Sequence, residues 1–157
     1  ALHDPDFRSV WDVNMMHRDT LEVIDAHNDV NYYAISMPVV SNRDFVYVRA
    51  WRYTDDEFII FNKSVESSQR PPTPEFVRGT FYLGGYMCRR VNGKLVFYYI
   101  THTDWNGWIP YFLINKIGLS VCPAVLNRLV SGCKSYDEWK QTHRPDHKPW
   151  RESAISQ

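Results

Sequence analysis

Apolar and polar residues alternate with a period close to two along most of this chain up to residue 104, the pattern of strands with two unlike faces. Strands are predicted over 15–26, 30–37, 43–53, 57–65, 76–90 and 95–104. Turn residues separate them: Asn28-Asp29, Asp55-Asp56 and Asn92-Gly93. The last is a strong hairpin signal because both residues tolerate positive φ. Gly84-Gly85, inside one predicted strand, implies a bulge or a sharp bend. The run 66–75, rich in serine and proline, cannot hold a ladder and reads as a surface loop. Successive hairpins without a long crossover predict an antiparallel meander.

The period changes at both ends. Residues 1–12 read as the last turns of a helix, with Leu2, Phe7, Val10 and Trp11 roughly along one side. From Pro110 apolar residues recur every three or four positions: Ile114, Ile117, Val121 and Val125 on one face, Cys122, Leu126, Leu129, Cys133 and Tyr136 on the next. Pro110 suits a first helical turn, whereas Pro123 falls inside the pattern and should bend the helix. Residues 141–157 read as an irregular basic tail. The expectation is one α+β domain over 1–157: a curved antiparallel sheet with a long amphipathic C-terminal helix.

Composition narrows the function. The 157 residues carry 18 basic and 18 acidic side chains, so no net field draws the chain to nucleic acid or to an anionic membrane. The three cysteines are odd in number and widely spaced, which suits a reducing, cytoplasmic setting. Aromatic residues make up 15%, a content that serves strands and cavity walls alike. Enzyme signatures are absent: no His-Glu-x-x-His, no Gly-x-Ser-x-Gly and no phosphate-cradling glycine loop. His3, Asp4 and Asp6 lie close together, but exposed helix entry is a simpler reading of them than a metal site.

Four segments point further: Phe-Arg-Ser-Val-Trp-Asp (7–12), Ser-Asn-Arg-Asp-Phe-Val-Tyr-Val-Arg-Ala-Trp-Arg-Tyr (41–53), Trp-Ile-Pro-Tyr-Phe-Leu-Ile-Asn-Lys (108–116) and Tyr-Asp-Glu-Trp-Lys (136–140). Together they resemble the START (StAR-related lipid transfer) domain, in the subgroup that carries phosphatidylcholine and related phospholipids. The resemblance implies the helix-grip fold, in which the sheet wraps around the C-terminal helix and the gap between them is a lipid tunnel. It also implies a helix, about three strands and a further helix before residue 1, so the chain is expected to lack the N-terminal part of the domain. The implied function is a non-enzymatic, cytoplasmic carrier of phosphatidylcholine or phosphatidylethanolamine, peripheral at membranes, with the phospholipid as ligand and no cofactor. A sterol or ceramide carrier and a lipid-sensing interaction module are the alternatives.

The candidate site follows from both sources. Arg8 and Asp12 are four residues apart and can pair on one helix face. An exposed pair of this kind contributes only about 0.3–0.5 kcal/mol; in the family the arginine meets the lipid phosphate. Tyr33 and Phe45 align with the aromatics around choline, although phosphatidylcholine carriers have Trp and Tyr at those places; plain strand packing is the competing reading. Met37, Pro38, Val39 and Val40 match the family's gate loop, with a loop folded over the core as the other possibility. Trp108, Phe112, Leu113, Ile117 and Val121 are placed on the lid helix as lipid contacts. Transient membrane contact is expected through the gate loop and the start of that helix. The Arg43-Asp44 pair reads as a structural junction between loop and strand.

Overall fold

The computed structural model describes residues 1–116, 119–120 and 122–148. In chain order the elements are α1 (Arg8–Trp11), β1 (Met15–Asp25), β2 (Asn28–Ile35), β3 (Arg43–Tyr53), β4 (Glu57–Ser64), β5 (Val77–Arg78), β6 (Thr80–Val91), β7 (Lys94–Asp104), α2 (Tyr111–Lys116) and α3 (Cys122–Thr142). They form two compact units, residues 16–107 and residues 1–15 with 108–157.

The first unit is the sheet, in the order β1-β2-β3-β4-β6-β7, with β5 attached to β3. Alternation along β2 and β3 sorts side chains onto two faces. Val30, Tyr32, Ala34, Val46 and Phe76 cluster on one face. Ile35, Phe45 and Tyr47 cluster on the other, with Tyr33, Met37, Phe81 and Trp105 packed against them. Phe45 is stacked on Phe81 with ring centroids 4.1 Å apart and meets Trp105 edge-on at 5.8 Å.

Three features of the sheet differ from the sequence reading. First, it is not a pure meander. β4 pairs with β3 only over Tyr47–Tyr53, and β5 takes up the vacated edge in parallel, Arg43 opposite Val77 and Asp44 opposite Arg78. The proline-rich loop makes this possible by carrying the chain back to the start of β3, where Val77 N–H donates to Asn42 O and Gly79 N–H to Asp44 O. Second, the first hairpin turns at 26–27, and Asn28 and Asp29 belong to β2. Asp25 organises that turn, accepting from His27 N–H at 2.7 Å and from Asn28 Nδ2 at 2.9 Å. Third, the irregularity in β6 lies between Phe81 and Leu83, not at Gly84-Gly85. Gly85 has another role: a Cβ there would lie 2.3 Å from the Ile60 carbonyl oxygen on β4.

The helical unit also departs from expectation. Residues 1–7 form turns and irregular chain, and α1 is a single turn because Asp4 caps the bend before it. Of the expected long C-terminal helix, the described residues comprise α2 to Lys116, a π-helical pair at 119–120 and α3 from Cys122; residues 117, 118 and 121 lie outside the described residues. Pro123 is the second residue of α3. The face of α3 that is covered runs through Leu129, Gly132 and Lys140, while Cys133 is exposed. The helix continues to Thr142, so the tail expected from 141 begins two residues later; 149–157 lie outside the described residues.

The two adjacent glycines of β6 should separate cleanly. Gly85→Ala is expected to destabilise by about 1–3 kcal/mol, since the added methyl meets a backbone atom that cannot move aside. Gly84→Ala, whose Cβ would make an ordinary 3.8 Å contact with Asn62, should stay within about 0.5 kcal/mol. Urea unfolding midpoints read the difference.

Candidate functional site

In the helical unit, Arg8 Nε donates to Asp12 Oδ2 at 2.8 Å, and the Arg8 guanidinium lies 4.3 Å from the Trp11 ring centroid. Asp12 and Trp11 are buried, and Arg8 is half-buried. This short helix has little stability of its own; tertiary contacts hold it. Phe7 packs edge-on against Tyr136 and Trp139 of α3, each at 4.9 Å. Gly132 lets α3 approach, because a Cβ there would already be 3.3 Å from Trp11 Cβ.

Below Phe7 lies the strongest anchor in this unit. Asp4 is 0% exposed. Its Oδ2 accepts from Lys140 Nζ and from Tyr136 OH, both at 2.8 Å, and its Oδ1 accepts from Asp6 N–H at 3.0 Å. Burial by itself raises the Asp4 carboxyl, but the bonds from Lys140 and Tyr136 outweigh it and the net direction is down. Asp4 is thus a buried structural acid, which corrects its reading as exposed helix entry. Sequence reasoning missed it because its partner lies 136 residues away.

On the sheet, Tyr33 and Phe45 are direct partners across β2 and β3. Tyr33 is half-buried, whereas Phe45 is sealed by Phe81, Trp105 and the chain at Gly79, where a Cβ would lie 2.3 Å from its ring. Further along the same face is a polar network that the sequence reading did not single out. Asp29 and Arg49 are paired through Arg49 Nε at 2.9 Å and a second bond from Nη2. Asn31 Nδ2 donates to Asp29 at 2.6 Å, and Thr20 Oγ1 donates to Asn31 Oδ1 at 3.1 Å. The available signal was charge at inward positions of otherwise apolar strands, readable only once the register sets Asp29 opposite Arg49.

The Arg43-Asp44 pair divides its work between the two faces. Arg43, almost wholly buried, donates to the carbonyls of Ser41, Trp105 and Asn106. Asp44 accepts two bonds from Arg78 at 2.8 and 2.9 Å. Burial, reinforced by Asp44, pushes the Tyr32 phenol up to about 12. Arg43 and Asp44 thereby fix the loop before β3, the chain after β7 and the attachment of β5.

The loop 36–42 holds Met37 through its N–H to Asn42 Oδ1 at 3.0 Å, and the Met37 side chain packs on the Phe45 cluster. Pro38 is exposed, and Val40 is half-buried. Val39 is 89% exposed at φ 74°, a conformation that a β-branched residue adopts only under constraint. In the helical unit Leu113 is buried, whereas Trp108 and Phe112 are 79% and 66% exposed. Ile117 and Val121 lie outside the described residues. Among the described residues no group of three or more acids, histidines or cysteines is placed to hold a metal, and no helix is long and apolar enough to cross a membrane.

The fold and these motif positions define a class. The sequence pattern of the START domain matches residues 1–139, and the chain belongs to this family. It is 32% identical to START domain-containing protein 10 of Homo sapiens over 152 residues, covering 96% of this chain and 52% of that protein. Phosphatidylcholine transfer protein of Mus musculus is 27% identical over 140 residues, covering 85% of this chain and 64% of that protein. The crystal structure of human STARD10 superposes with a TM-score of 0.90 at 30% identity, over 99% of this chain and 64% of that one. The human StAR-related lipid transfer protein 5 gives 0.74 at 25% identity, over 82% and 64%. These likenesses show the α+β helix-grip fold. The chain spans about half the length of the START domain-containing protein 10 sequences it matches.

Two variants test the buried charges. Asp4→Ala, which strands Lys140, should lower unfolding free energy by about 3–5 kcal/mol in urea titrations. The pH dependence has a definite sign. Asp4 has a depressed folded pKa, so its contribution is complete above the unfolded value of about 3.9 and is lost as pH falls through the folded value. Asp4→Asn should therefore lack that part of the acid-induced loss below about pH 4.

Proposed function

We propose that this chain is the lipid-holding part of a carrier that shields one glycerophospholipid, phosphatidylcholine or phosphatidylethanolamine, from water as it passes between membranes. The reading needs no catalytic step. Leaving a bilayer alone would hydrate the lipid's methylenes at about 0.8 kcal/mol each, and a protein interior removes that cost. The observation that carries the proposal is the Arg8–Asp12 pair, formed on a helical turn beside the buried Trp11 in a chain of the START family. A guanidinium is well matched to phosphate because its planar fork donates two parallel hydrogen bonds, and the half-buried Arg8 is held ready by its carboxylate until phosphate arrives. Kinship with a protein named for phosphatidylcholine transfer supports this head-group class.

The aromatic wall of Tyr33, Phe45, Tyr47 and Phe81 offers the apolar and π-rich surface such a ligand needs. Tyr33 and Phe81 are the half-buried members of this wall, and Tyr33, beside its cross-strand partner Phe45, is the one offered to a choline or ethanolamine group. Exposed apolar side chains serve the membrane step: Val39 with Pro38 in the gate loop, and Trp108, Tyr111 and Phe112 around α2. Contact with the membrane is transient and peripheral, and the protein works from the cytoplasm. A sterol or ceramide is the second reading, favoured by the Asp29–Arg49–Asn31 network, whose polar groups suit a lone hydroxyl.

The test is to incubate the purified chain with vesicles of mixed cellular lipids, re-isolate it and identify bound lipid by mass spectrometry. One stoichiometric glycerophospholipid is the expected result; a sterol, a ceramide or an empty protein would overturn the first reading. Arg8→Ala should abolish phospholipid loading while its circular dichroism and cooperative unfolding remain. Val39→Asp should slow transfer between vesicles several-fold and leave the amount bound unchanged, since a charge at the gate opposes membrane contact and not occupancy.

A further inference from the structure

Of the nine prolines in the chain, Pro74 alone follows a serine or threonine. The residues around it, Gln-Arg-Pro-Pro-Thr-Pro-Glu (69–75), belong to the loop between β4 and β5. A proline ring fixes φ and turns the residue before it away from helical backbone. Arg70, Pro71 and Thr73 each precede a proline, so local sterics favour an extended chain, and 71–73 carry neither helix nor strand. The Thr73 carbonyl accepts from Phe76 N–H at 3.4 Å, closing a turn with Pro74 in its second place. Every residue from Pro71 to Glu75 is exposed. The loop is tied down just before them. Arg70 Nη2 donates to Asp19 Oδ2 of β1 at 2.9 Å, and its guanidinium lies 4.8 Å from the Tyr32 ring centroid. Its carbonyl accepts from Arg78 Nη2 at 3.1 Å. Thr73 and Arg70 share a recess of about 450 Å³ with His17, Arg18 and Asp19 of β1 and with Glu75. This recess lies by β1, at the opposite end of the strand order from β7.

We propose that Thr73 is a phosphorylation site for a proline-directed protein kinase, and that Arg70 is the side chain that pairs with the phosphate. The acceptor hydroxyl is exposed, the backbone leading to it is extended, and proline follows it. Such a segment can enter an enzyme cleft without unfolding the sheet beneath it. In the reaction the Thr73 oxygen attacks the γ-phosphorus of ATP, the bond from that phosphorus to the β,γ-bridging oxygen breaks, and ADP leaves. The hydroxyl proton passes to the kinase's catalytic aspartate. The product brings a charge of about −1.5 to −2 and three acceptor oxygens to the recess. Asp19 and Glu75 oppose that charge, whereas Arg70 and Arg18 favour it. Arg70 is the better placed to answer. Its bond to Asp19 joins side chains that are 45% and 54% exposed, a pairing of little strength. Phosphate accepts from a guanidinium through two parallel bonds, which the Nη2–Oδ2 contact does not match. Phosphate and Asp19 therefore compete for one guanidinium, and modification changes how the loop is fastened to β1. The inference goes beyond the carrier reading and does not rest on it.

The test incubates the folded 157-residue chain with ATP, Mg²⁺ and a purified proline-directed kinase, and locates phosphate by mass spectrometry. One phosphate per chain, on Thr73, is expected, with cooperative unfolding kept. Thr73→Ser should still be modified and Thr73→Ala should not. Pro74→Ala should slow the reaction about tenfold or more. In NMR spectra the Arg70 side-chain N–H signal should move on phosphorylation, while that of Arg52, near the other end of β3, stays in place. Modification of the free peptide 66–78 but not of the folded chain would overturn the proposal, because the fold would then withhold the site. So would an unmodified peptide and chain, phosphate on other residues, a Pro74→Ala chain modified at the wild-type rate, or an Arg70 signal that does not move.

Discussion

A charge removed from water costs several kcal/mol unless other groups replace its hydration, and the start of β3 buries two of them side by side. Arg43 collects carbonyls from the loop before β3 and from the turn after β7. Asp44 takes the fork of Arg78 and so ties β5 to the edge of β3 that β4 leaves uncovered. Neither bond set forms unless the sheet has closed in one register. Phe45, the next residue, then has its place beneath Phe81 and beside Trp105, and the aromatic face follows from it.

The helical unit solves the same problem with other groups. Asp4 is buried among Lys140, Tyr136 and backbone amides, and Phe7 wedges between two aromatic rings of α3. These contacts give a one-turn helix the rigidity it lacks by itself. Arg8 is thereby presented on a fixed turn with Asp12 as its partner. For a head-group contact this matters, since a pre-placed guanidinium loses less entropy on binding phosphate than a mobile one.

Burial and exposure divide the two kinds of candidate residue. Those that shape an interior, such as Phe45 and Leu113, are sealed. Val39, Trp108 and Phe112 stand in solvent, where a large apolar group is costly and suits a membrane surface. The strained φ of Val39 belongs with them, because strain kept at an exposed tip serves no packing.

Strand identity, the Asn92-Gly93 hairpin and the Arg8–Asp12 pair were legible in the sequence because each depends on neighbours a few residues apart. Period-two alternation, a turn that accepts positive φ and i,i+4 spacing are all local rules. The strand boundaries moved by a few residues where a side chain such as Asp25 took over a turn. What remained illegible was set at long range: Asp4 with Lys140, Asp29 with Arg49, and the parallel seat of β5. Local sequence cannot announce a buried charge, because an aspartate reads the same whether water or a lysine more than a hundred positions away will solvate it. The residues available to each face and turn were thus written in the chain, whereas the partner of every buried charge was decided when distant segments met.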